Sequence, residues 1–552
     1  MAYLTAPDPN QTTWPKGVKY IIGNEGCERF SFYGMRSILQ VHLTSLFVTA
    51  GLFQVTAEEN AQEMYHLFVA AVYAFPMIGA IISDRLVGKY GTIISLSLVY
   101  CLGHVVLAIG ENSIEGMGLG LALIAIGSGG IKPCVSAHVG DQFGKGNWHM
   151  VAKVFQGFYF IINFGSFFAT LAIPFIRSNA DMIPILRDYP EYATSVAFGL
   201  PGVLMFVATV MFWMGRHVFV HVPPAPGGKL GLYDAAGSVL LFTGFIGLPL
   251  FAWDVLPNYV FWLLTVWSIV MGLWIFMERQ SIEEDDGFLA VMIHSIGALL
   301  TGGNARAAPA DDGASDATAP RRWFFGSAAK KFGDDATEGP KAVLRIISIF
   351  FLVSVFWALF DQHGSSWVRQ AMRMELNVWN MELLPSQISA LNPLMVMALI
   401  PINNYFLYPT ITKMGYEMTP LRRMTIGMFI ASGSFAAVAI IQFFIDQGGE
   451  TSKVPVLWQF VPYLIITQAE VMVSITGLEF AYTQAPKRMK STIMGFWLLT
   501  VSFGNVLVAA MTKYIPNMEL QQFFWMFAAL MVVAAVLFGI RARFYTYRDY
   551  TQ

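Results

Sequence analysis

The chain has 552 residues, of which 55% are hydrophobic and only 13% are charged, and its mean hydropathy is +0.55. These values exclude an ordinary soluble domain and predict a protein that crosses a membrane many times. The net charge of −2 with scattered basic residues argues against a nucleic-acid partner, and three cysteines without paired spacing support neither a metal, a cofactor nor a disulfide framework.

About fourteen apolar segments reach the length of roughly 20 residues that a membrane-spanning helix needs. They cover residues 18–48, 62–83, 92–110, 116–138, 154–176, 196–215, 231–253, 258–278, 342–362, 386–410, 422–445, 456–485, 492–512 and 519–540. Basic residues such as Arg85, Lys89 and Arg422 lie in alternate connections, and this bias predicts that both termini are cytoplasmic. Arg369 and Arg373 lie in opposite connections and weaken the bias.

The order of these segments predicts how the chain is divided. We expect a cytosolic N-terminus at 1–17, a six-helix bundle at 18–218, a linker with two extra membrane helices at 219–279, a flexible cytosolic loop at 280–341, a second six-helix bundle at 342–541 and a cytosolic tail at 542–552. The loop contains a small, acidic, low-complexity run at 308–320 that cannot bury a core. Two six-helix halves are typical of a major-facilitator transporter, with its substrate site near the midplane between them.

The loop after the second segment supports this fold class. Gly79, Asp84, Arg85, Gly88 and Lys89 have spacings that resemble the short loop motif of the major facilitator superfamily. A basic cytoplasmic turn would explain only the arginine and the lysine. We therefore predict an all-α polytopic membrane protein with the major facilitator fold, in which an extra helical hairpin lies between two six-helix bundles.

The first apolar segment carries a stripe of polar side chains. At about 100° per residue, Glu25, Glu28, Arg29, Tyr33 and Arg36 lie on one face of a helix. A charge at mid-bilayer costs roughly 2.5–3.5 kcal/mol on insertion scales, so such residues normally face a bundle interior or a water-filled path. The alternatives are a structural ion pair that locks this helix to a neighbour, or a carboxylate that switches between a paired and a protonated state.

Two further charged residues lie in apolar segments without an oppositely charged residue in the same segment. Lys132 lies in the fourth segment and could either reach a helix end by snorkelling or face a ligand. Glu470 has no basic residue in its own helix before Lys487. A carboxylate in such a place must either protonate or find a cation on another helix.

Three stretches resemble one family. Residues 25–36 resemble the ExxERFxYYGxR signature of the proton-dependent oligopeptide transporters, and residues 129–143 and 158–166 match the same family. One departure is Phe32, where many members have a tyrosine, which removes a hydroxyl but keeps the ring. The resemblance implies a proton-coupled symporter that imports di- and tripeptides by alternating access and works as a monomer in the lipid bilayer. The extra hairpin is similar to that of bacterial members, which implies a bacterial inner membrane.

The resemblance also implies roles for individual residues. Those implied in proton coupling are Glu25, Glu28, Arg29, His66 and Asp361. Those implied in substrate binding are Tyr33, Arg36, Tyr73, Lys132, Asn163, Trp357, Asn392, Glu470 and Trp497. In this scheme, Arg36 and Lys132 face the carboxylate of the peptide, and Glu470 receives its amino group.

Structural roles are the alternatives for several of these residues. His66 could be a hydrogen-bonded packing residue, and Asp361 could cap a helix instead of pairing with Arg36 or Lys132 across the halves. Asn392 and Trp497 could equally belong to the core.

An anion carrier, a membrane enzyme, and a channel or receptor are the alternatives to peptide symport. Relatives within the fold carry nitrate or other metabolites, but an anion carrier has no need of Glu470. An intramembrane enzyme is disfavoured because the sequence contains neither GxSxG nor HExxH. A channel or receptor is disfavoured because buried acid and base groups in close spacing suit an alternating carrier better.

Overall fold

A computed structural model describes residues 3–253, 256–284, 287–301, 319–449, 453–484 and 490–547. Thirteen helices in this part of the chain are long and apolar enough to cross a membrane. Helix α1, Val18–Thr49, has 32 residues but is less apolar than these thirteen, because it carries many polar side chains. Counting it with the thirteen gives fourteen spans, as the sequence predicts. Helices predominate because each helix satisfies its own backbone hydrogen bonds, which lipid cannot do.

The first bundle is built around α1. Its other helices are α2 Gln54–Ala74, α3 Pro76–Ile82, α4 Lys89–Ile109, α5 Ile114–Asp141, α6 Val151–Ser178, α7 Pro184–Arg187 and α8 Ala193–Met214. Helix α1 packs against α2, α6 and α8, and α4 packs against α5 and α8. Helices α3 and α5 touch through their backbones, because a Cβ atom added to Gly79 would lie 2.3 Å from Gly130 Cα.

The extra hairpin follows the first bundle and is fixed to it. It consists of α9 Gly228–Phe242, α10 Leu248–Phe251 and α11 Asn258–Ile282. Asp234 pairs with Arg279 at 2.8 Å and with Arg85, in the loop after α3, at 3.5 Å. A Cβ atom added to Gly231 would lie 1.9 Å from Arg85 O. The hairpin therefore packs closely against Arg85, in the loop that carries the Gly79–Lys89 motif.

Part of the predicted flexible loop at 280–341 is helical in the structure. Two helices lie there, α12 Phe288–Leu300 and α13 Ala319–Phe332. Val291, Phe325 and Ala328 are buried between them, and this shared apolar face explains why both segments fold. Residues 302–318 of the predicted loop and residues 548–552 of the predicted tail lie outside the described residues.

The second bundle begins directly after α13. Its helices are α14 Asp334–Phe360, α15 Ser366–Ala371, α16 Leu391–Ile402, α17 Tyr408–Lys413, α18 Pro420–Gly448, α19 Phe460–Glu470, α20 Thr476–Thr483, α21 Lys490–Tyr514 and α22 Leu520–Arg543. A short antiparallel pair of strands, β1 Asn377–Val378 and β2 Met381–Glu382, follows α15. Helix α18 packs against α22 and α19, and α14 packs against α21. A π-helical turn, Val471–Ile475, separates α19 from α20.

The two bundles meet mainly along α2 and α21, which lie side by side. Helix α6 contacts α16, and α1 contacts the turn Asp361–Gly364. We call the end of the bundles near Thr49 and Tyr514, remote from both termini, the far end. Polar side chains of the two bundles contact each other there.

Candidate functional site

The acidic and basic residues of α1 form one buried ion cluster. Arg29 Nε donates to Glu25 Oε1 at 2.7 Å and lies 3.3 Å from Glu28 Oε2. Both glutamates are buried. Three residues of the predicted stripe therefore form one cluster, in which the Arg29 guanidinium is shared by Glu25 and Glu28. Either carboxylate can lose its charge while the other stays paired.

Further along α1, Arg36 reaches the second bundle. Its Nη2 donates to Asp361 Oδ1 at 2.6 Å, and its Nε donates to Tyr65 Oη of α2 at 2.5 Å. The arginine and the aspartate are both buried. Of the two partners that the sequence allowed for Asp361, the structure places Arg36 against it.

Asp361 also connects to His66. Asn505 Nδ2 of α21 donates to Asp361 Oδ2 at 2.7 Å, and Asn505 Oδ1 lies 2.7 Å from His66 Nδ1. Because the amide nitrogen is used by the carboxylate, its oxygen must accept a proton from Nδ1 of the histidine. His66 Nε2 then faces Ser365 Oγ at 2.7 Å. A hydroxyl can accept as well as donate, so this site accommodates either charge state of the imidazole.

We call Arg36, Tyr65, His66, Asp361 and Asn505 the cross-bundle cluster. Sequence analysis found three of its members and missed Tyr65 and Asn505, together with the neighbouring Ser365. The available signal was a lone amide, Asn505, inside an apolar segment. Such a side chain must find hydrogen-bond partners inside the protein.

A second set of polar contacts lies closer to the far end. Arg369 and Arg373 both contact Glu58 Oε2, at 3.1 and 3.2 Å. Arg369 Nη1 also donates to Gln62 Oε1 at 2.8 Å, and Gln62 Nε2 donates to Thr512 Oγ1 at 3.0 Å. These two arginines weakened the predicted charge bias of the connections, and the structure shows that they join the second bundle to the first.

Lys132 has a different environment from these arginines. Its Nζ lies 4.2 Å from the centre of the Phe32 ring and 4.2 Å from the centre of the Tyr73 ring. The Nζ atom is buried, and among the described residues it has no hydrogen-bond partner. Lys132 therefore lies inside the first bundle's polar face and does not snorkel to a helix end.

Glu470 is held in the second bundle by a neutral partner. Asn392 Nδ2 donates to Glu470 Oε2 at 2.7 Å and to Thr467 Oγ1 at 3.1 Å. Glu470 is the last residue of α19, directly before the π-helical turn, a distortion that is frequent at functional sites. Asn392 thus reaches Glu470, whereas the sequence left a core role equally open.

The remaining predicted residues divide between the interface and the cores. Tyr33 is half-buried and close to both Arg36 and Glu470. Trp497 is packed inside the second bundle, where its ring lies 5.1 Å from Phe350 and 6.2 Å from Trp357. The structure brings these two tryptophans together.

Asn163 and one residue that the sequence analysis missed lie on α6. Asn163 Nδ2 donates to Tyr159 O of its own helix at 2.8 Å. Tyr159 is close to Glu470, so it belongs to the surroundings of that carboxylate. Its position in the apolar run 158–166 gave no sign of this. Among the described residues, no group of three or more His, Cys, Asp or Glu side chains could hold a metal ion.

The fold and the site define a class of protein. Two helical bundles that share a polar interface, with charges from both bundles at mid-helix, are the arrangement of a major-facilitator secondary transporter. The family model described as the POT family matches residues 90–231 and 324–526. This chain belongs to the POT family.

Individual relatives agree with this assignment. The chain is 33% identical over 441 residues to "Peptide transporter family 1" of Drosophila melanogaster, covering 79% of this chain and 48% of the relative. It is 29% identical over 476 residues to human "Solute carrier family 15 member 2", covering 85% of this chain and 54% of the relative. The chain thus spans about half the length of the curated relatives it matches.

A solved structure matches over almost the whole chain. The crystal structure of the POT family transporter PepTSo has 38% sequence identity and a TM-score of 0.74, covering 96% of this chain and 98% of the other. This likeness includes both bundles and the hairpin region. It establishes the major facilitator fold for this chain.

Proposed function

We propose that this chain is a proton-coupled symporter that imports di- and tripeptides by alternating access, driven by the proton gradient. The observation that carries the proposal is the environment of Lys132 and Glu470, one in each bundle. The Lys132 Nζ atom is buried against two aromatic rings, Glu470 is half-buried and accepts a hydrogen bond from Asn392, and neither side chain makes an ion pair among the described residues. The name of the Drosophila melanogaster relative, "Peptide transporter family 1", supports the same substrate class.

A short peptide fits this arrangement because it is a zwitterion with a fixed range of distances between its ends. Its carboxylate would pair with Lys132 and its ammonium with Glu470, so the two bundles would be drawn together by one substrate. Tyr33 and Tyr73 would line the space between these ends, with Trp357, Asn163, Asn392 and Trp497 supporting its walls. Apolar and aromatic walls accept side chains of many kinds, which suits a carrier of varied sequences.

Proton coupling would act through the two ion clusters on α1. A proton on Glu25 or Glu28 changes the charge that surrounds Arg29. A proton on His66 or Asp361 weakens the tie between Asp361 and Arg36. Removing one partner of a buried pair costs about 3–5 kcal/mol, so protonation there favours opening of the far end. One charge crossing 100 mV supplies about 2.3 kcal/mol, which is of the same order.

The proposal includes the setting of the protein. We place it in the cell membrane, in a bacterial inner membrane, with both termini cytoplasmic and a monomer as the working unit. The far end is then the outer end, and its polar contacts close the outer entrance. The predicted division into N-terminus, bundles, linker, loop and tail remains part of this proposal, with 219–279 as the linker that carries the hairpin.

The test is uptake of labelled dialanine into proteoliposomes that contain the purified chain. We expect accumulation under an imposed inward proton gradient and its loss when an uncoupler is added. Counterflow of dialanine without accumulation would keep the peptide site and contradict proton coupling. If neither mode shows uptake, the substrate assignment fails, and nitrate is the next compound to test.

A further inference from the structure

Lys132 is held in an unusual way for a buried cation. Arg29, Arg36, Arg279 and Arg369 each pair with a carboxylate within 4.0 Å. Lys132 instead has its ammonium over two aromatic rings, both at 4.2 Å. Within the part of the chain that the structure describes, its Nζ makes neither a hydrogen bond nor an ion pair. Direct contact with a carboxylate therefore does not stabilise this charge.

Aromatic rings can do so because their faces are negative. A cation within about 6 Å of a ring centroid is attracted by the quadrupole of the ring, and the attraction grows when water is excluded. Both rings satisfy this distance, and the ammonium is excluded from water. We call the rings of Phe32 and Tyr73 the aromatic seat.

We propose that the aromatic seat positions the Lys132 ammonium for the carboxylate of the substrate, and that Phe32 is a positioning residue for peptide affinity. This inference rests on the proposed function. Phe32 acts through Lys132 and does not itself contact the substrate. The role follows from its ring, since a phenylalanine offers no hydrogen-bonding group.

Tight packing fixes the geometry of the seat. Phe32 is fully buried, and its ring lies 5.3 Å from that of Tyr33. Gly129, one helical turn before Lys132, brings α5 onto α2. A Cβ atom added there would lie 2.6 Å from Phe75 Cβ and 3.1 Å from Val72 O. The ammonium and both rings are therefore in place before a substrate arrives.

The seat has a consequence for binding. An ammonium has three N–H donors, and a ring face occupies none of them with a lone pair in hydrogen-bond geometry. An incoming carboxylate can take these donors without first displacing a carboxylate of the protein. Arg36, in contrast, would have to leave Asp361. The seat thus leaves the N–H donors of Lys132 available, and it limits the reorganisation that binding requires.

The experiment compares Phe32 variants by the KM of uptake. Phe32→Leu removes the ring quadrupole, and Phe68→Leu is the matched control, because Phe68 is a buried ring beside Phe32 that does not hold Lys132. A second form of the protein carries 3,4,5-trifluorophenylalanine at position 32, which weakens the quadrupole while keeping the shape. Counterflow is measured with dialanine and with dialanine amide, which lacks the carboxylate.

We expect Phe32→Leu to raise KM for dialanine about thirtyfold, as the loss of a desolvated cation–π contact implies. The fluorinated form should show a smaller increase in the same direction. KM for the amide should stay within about twofold, and Phe32→Leu should add nothing in a Lys132→Gln background. Equal changes for both substrates, additive effects in that background or an unaltered KM in the fluorinated form would overturn the inference.

A separate readout distinguishes failure of the seat from failure of the proposed function. If the wild-type protein takes up no dialanine, the proposed function fails. The seat is then tested by the rate at which an amine-reactive reagent modifies Lys132 in purified protein. Phe32→Leu should speed this modification severalfold relative to Phe68→Leu, because one face of the ammonium is uncovered. Equal rates would overturn the seat.

Discussion

Two groups of buried charge lie between the bundles, and they are built by opposite rules. In the cross-bundle cluster the charges have charged or hydrogen-bonding partners: Arg36 of the first bundle pairs with Asp361 of the second, and Asn505 donates to Asp361 and contacts His66 of the first bundle. Nearer the middle of the helices, and among the described residues, the ring and hydrogen-bond contacts of Lys132 and Glu470 are with neutral side chains of their own bundles.

The difference separates closing contacts from binding contacts. A buried charge with a full set of protein partners stabilises one arrangement of the bundles, because losing a partner leaves the other uncompensated. A buried charge with neutral partners leaves room for a charge from outside the protein. Under the proposed function, the same interface contains a group that holds the bundles together and a group that binds a ligand.

The largest effect on transport is expected when the charge of Glu470 is removed. Glu470→Gln should reduce uptake of dialanine by more than about a hundredfold, since an ammonium left without its partner costs about 2–5 kcal/mol. Initial uptake rates in proteoliposomes measure the effect. Glu479→Gln is the control, because Glu479 lies on α20 and is exposed. Unchanged uptake in Glu470→Gln would rule out its role at the peptide amino group.

The next largest effect is expected from a closing charge. Asp361→Asn should destabilise the closed far end by about 3–5 kcal/mol, because it leaves Arg36 buried without a carboxylate. Spin labels at the exposed positions Phe53 and Met381, introduced as cysteines in a background without Cys27, Cys101 and Cys134, report the separation of the bundles there. The distance distribution should move to longer values.

Asp234→Asn provides the control for this measurement. It breaks an ion pair of similar length, Asp234–Arg279 at 2.8 Å, that lies in the hairpin and not between the bundles. The spin-label distances should then match those of the unmodified protein. If Asp361→Asn also left the distances unaltered, the cross-bundle cluster would have no part in closing the far end.

A smaller effect is expected at Asn505, which contacts both Asp361 and His66 in the cross-bundle cluster. Asn505→Ala leaves Asp361 Oδ2 and His66 Nδ1 without their shared partner, at about 1–3 kcal/mol for each unsatisfied group. We expect gradient-driven accumulation of dialanine to fall roughly tenfold while counterflow continues. Asn24→Ala is the comparison, since Asn24 is a buried amide that bonds within the first bundle to Ala208 O at 2.9 Å. Equal losses in both assays would assign Asn505 to folding, not coupling.

Much of this arrangement could be predicted from the sequence, and the reasons are local. Helical periodicity alone places Glu25, Glu28 and Arg29 on one face, and the structure has them within one ion cluster. The spans followed from segment length and apolar character. Lys132 stood out as the single charge of segment 116–138, and Glu470 as a carboxylate with no basic residue in its own helix before Lys487.

The partners of these residues could not be predicted in the same way. Asn505 and Asp361 are 144 positions apart, and Glu58 and Arg369 are 311 apart, so no local spacing links them. The aromatic seat and Lys132 lie on three different helices, and no pattern in any one of these helices indicates the contact between them. Helix α12 is only 13 residues long, and its apolar face is buried by α13 from beyond the low-complexity run.

The smallest predicted effect concerns two arginines that share one carboxylate. Arg369 and Arg373 both contact Glu58 Oε2, but their side chains are 9% and 39% exposed. An exposed pair contributes about 0–1 kcal/mol, whereas a buried one that loses a partner costs several. Arg373→Ala should therefore lower the thermal unfolding temperature in detergent only slightly, and Arg369→Ala should lower it clearly more. Equal shifts would mean that exposure does not decide the contribution here, and that the hydrogen bond from Arg369 to Gln62 adds nothing measurable to the contact between the bundles.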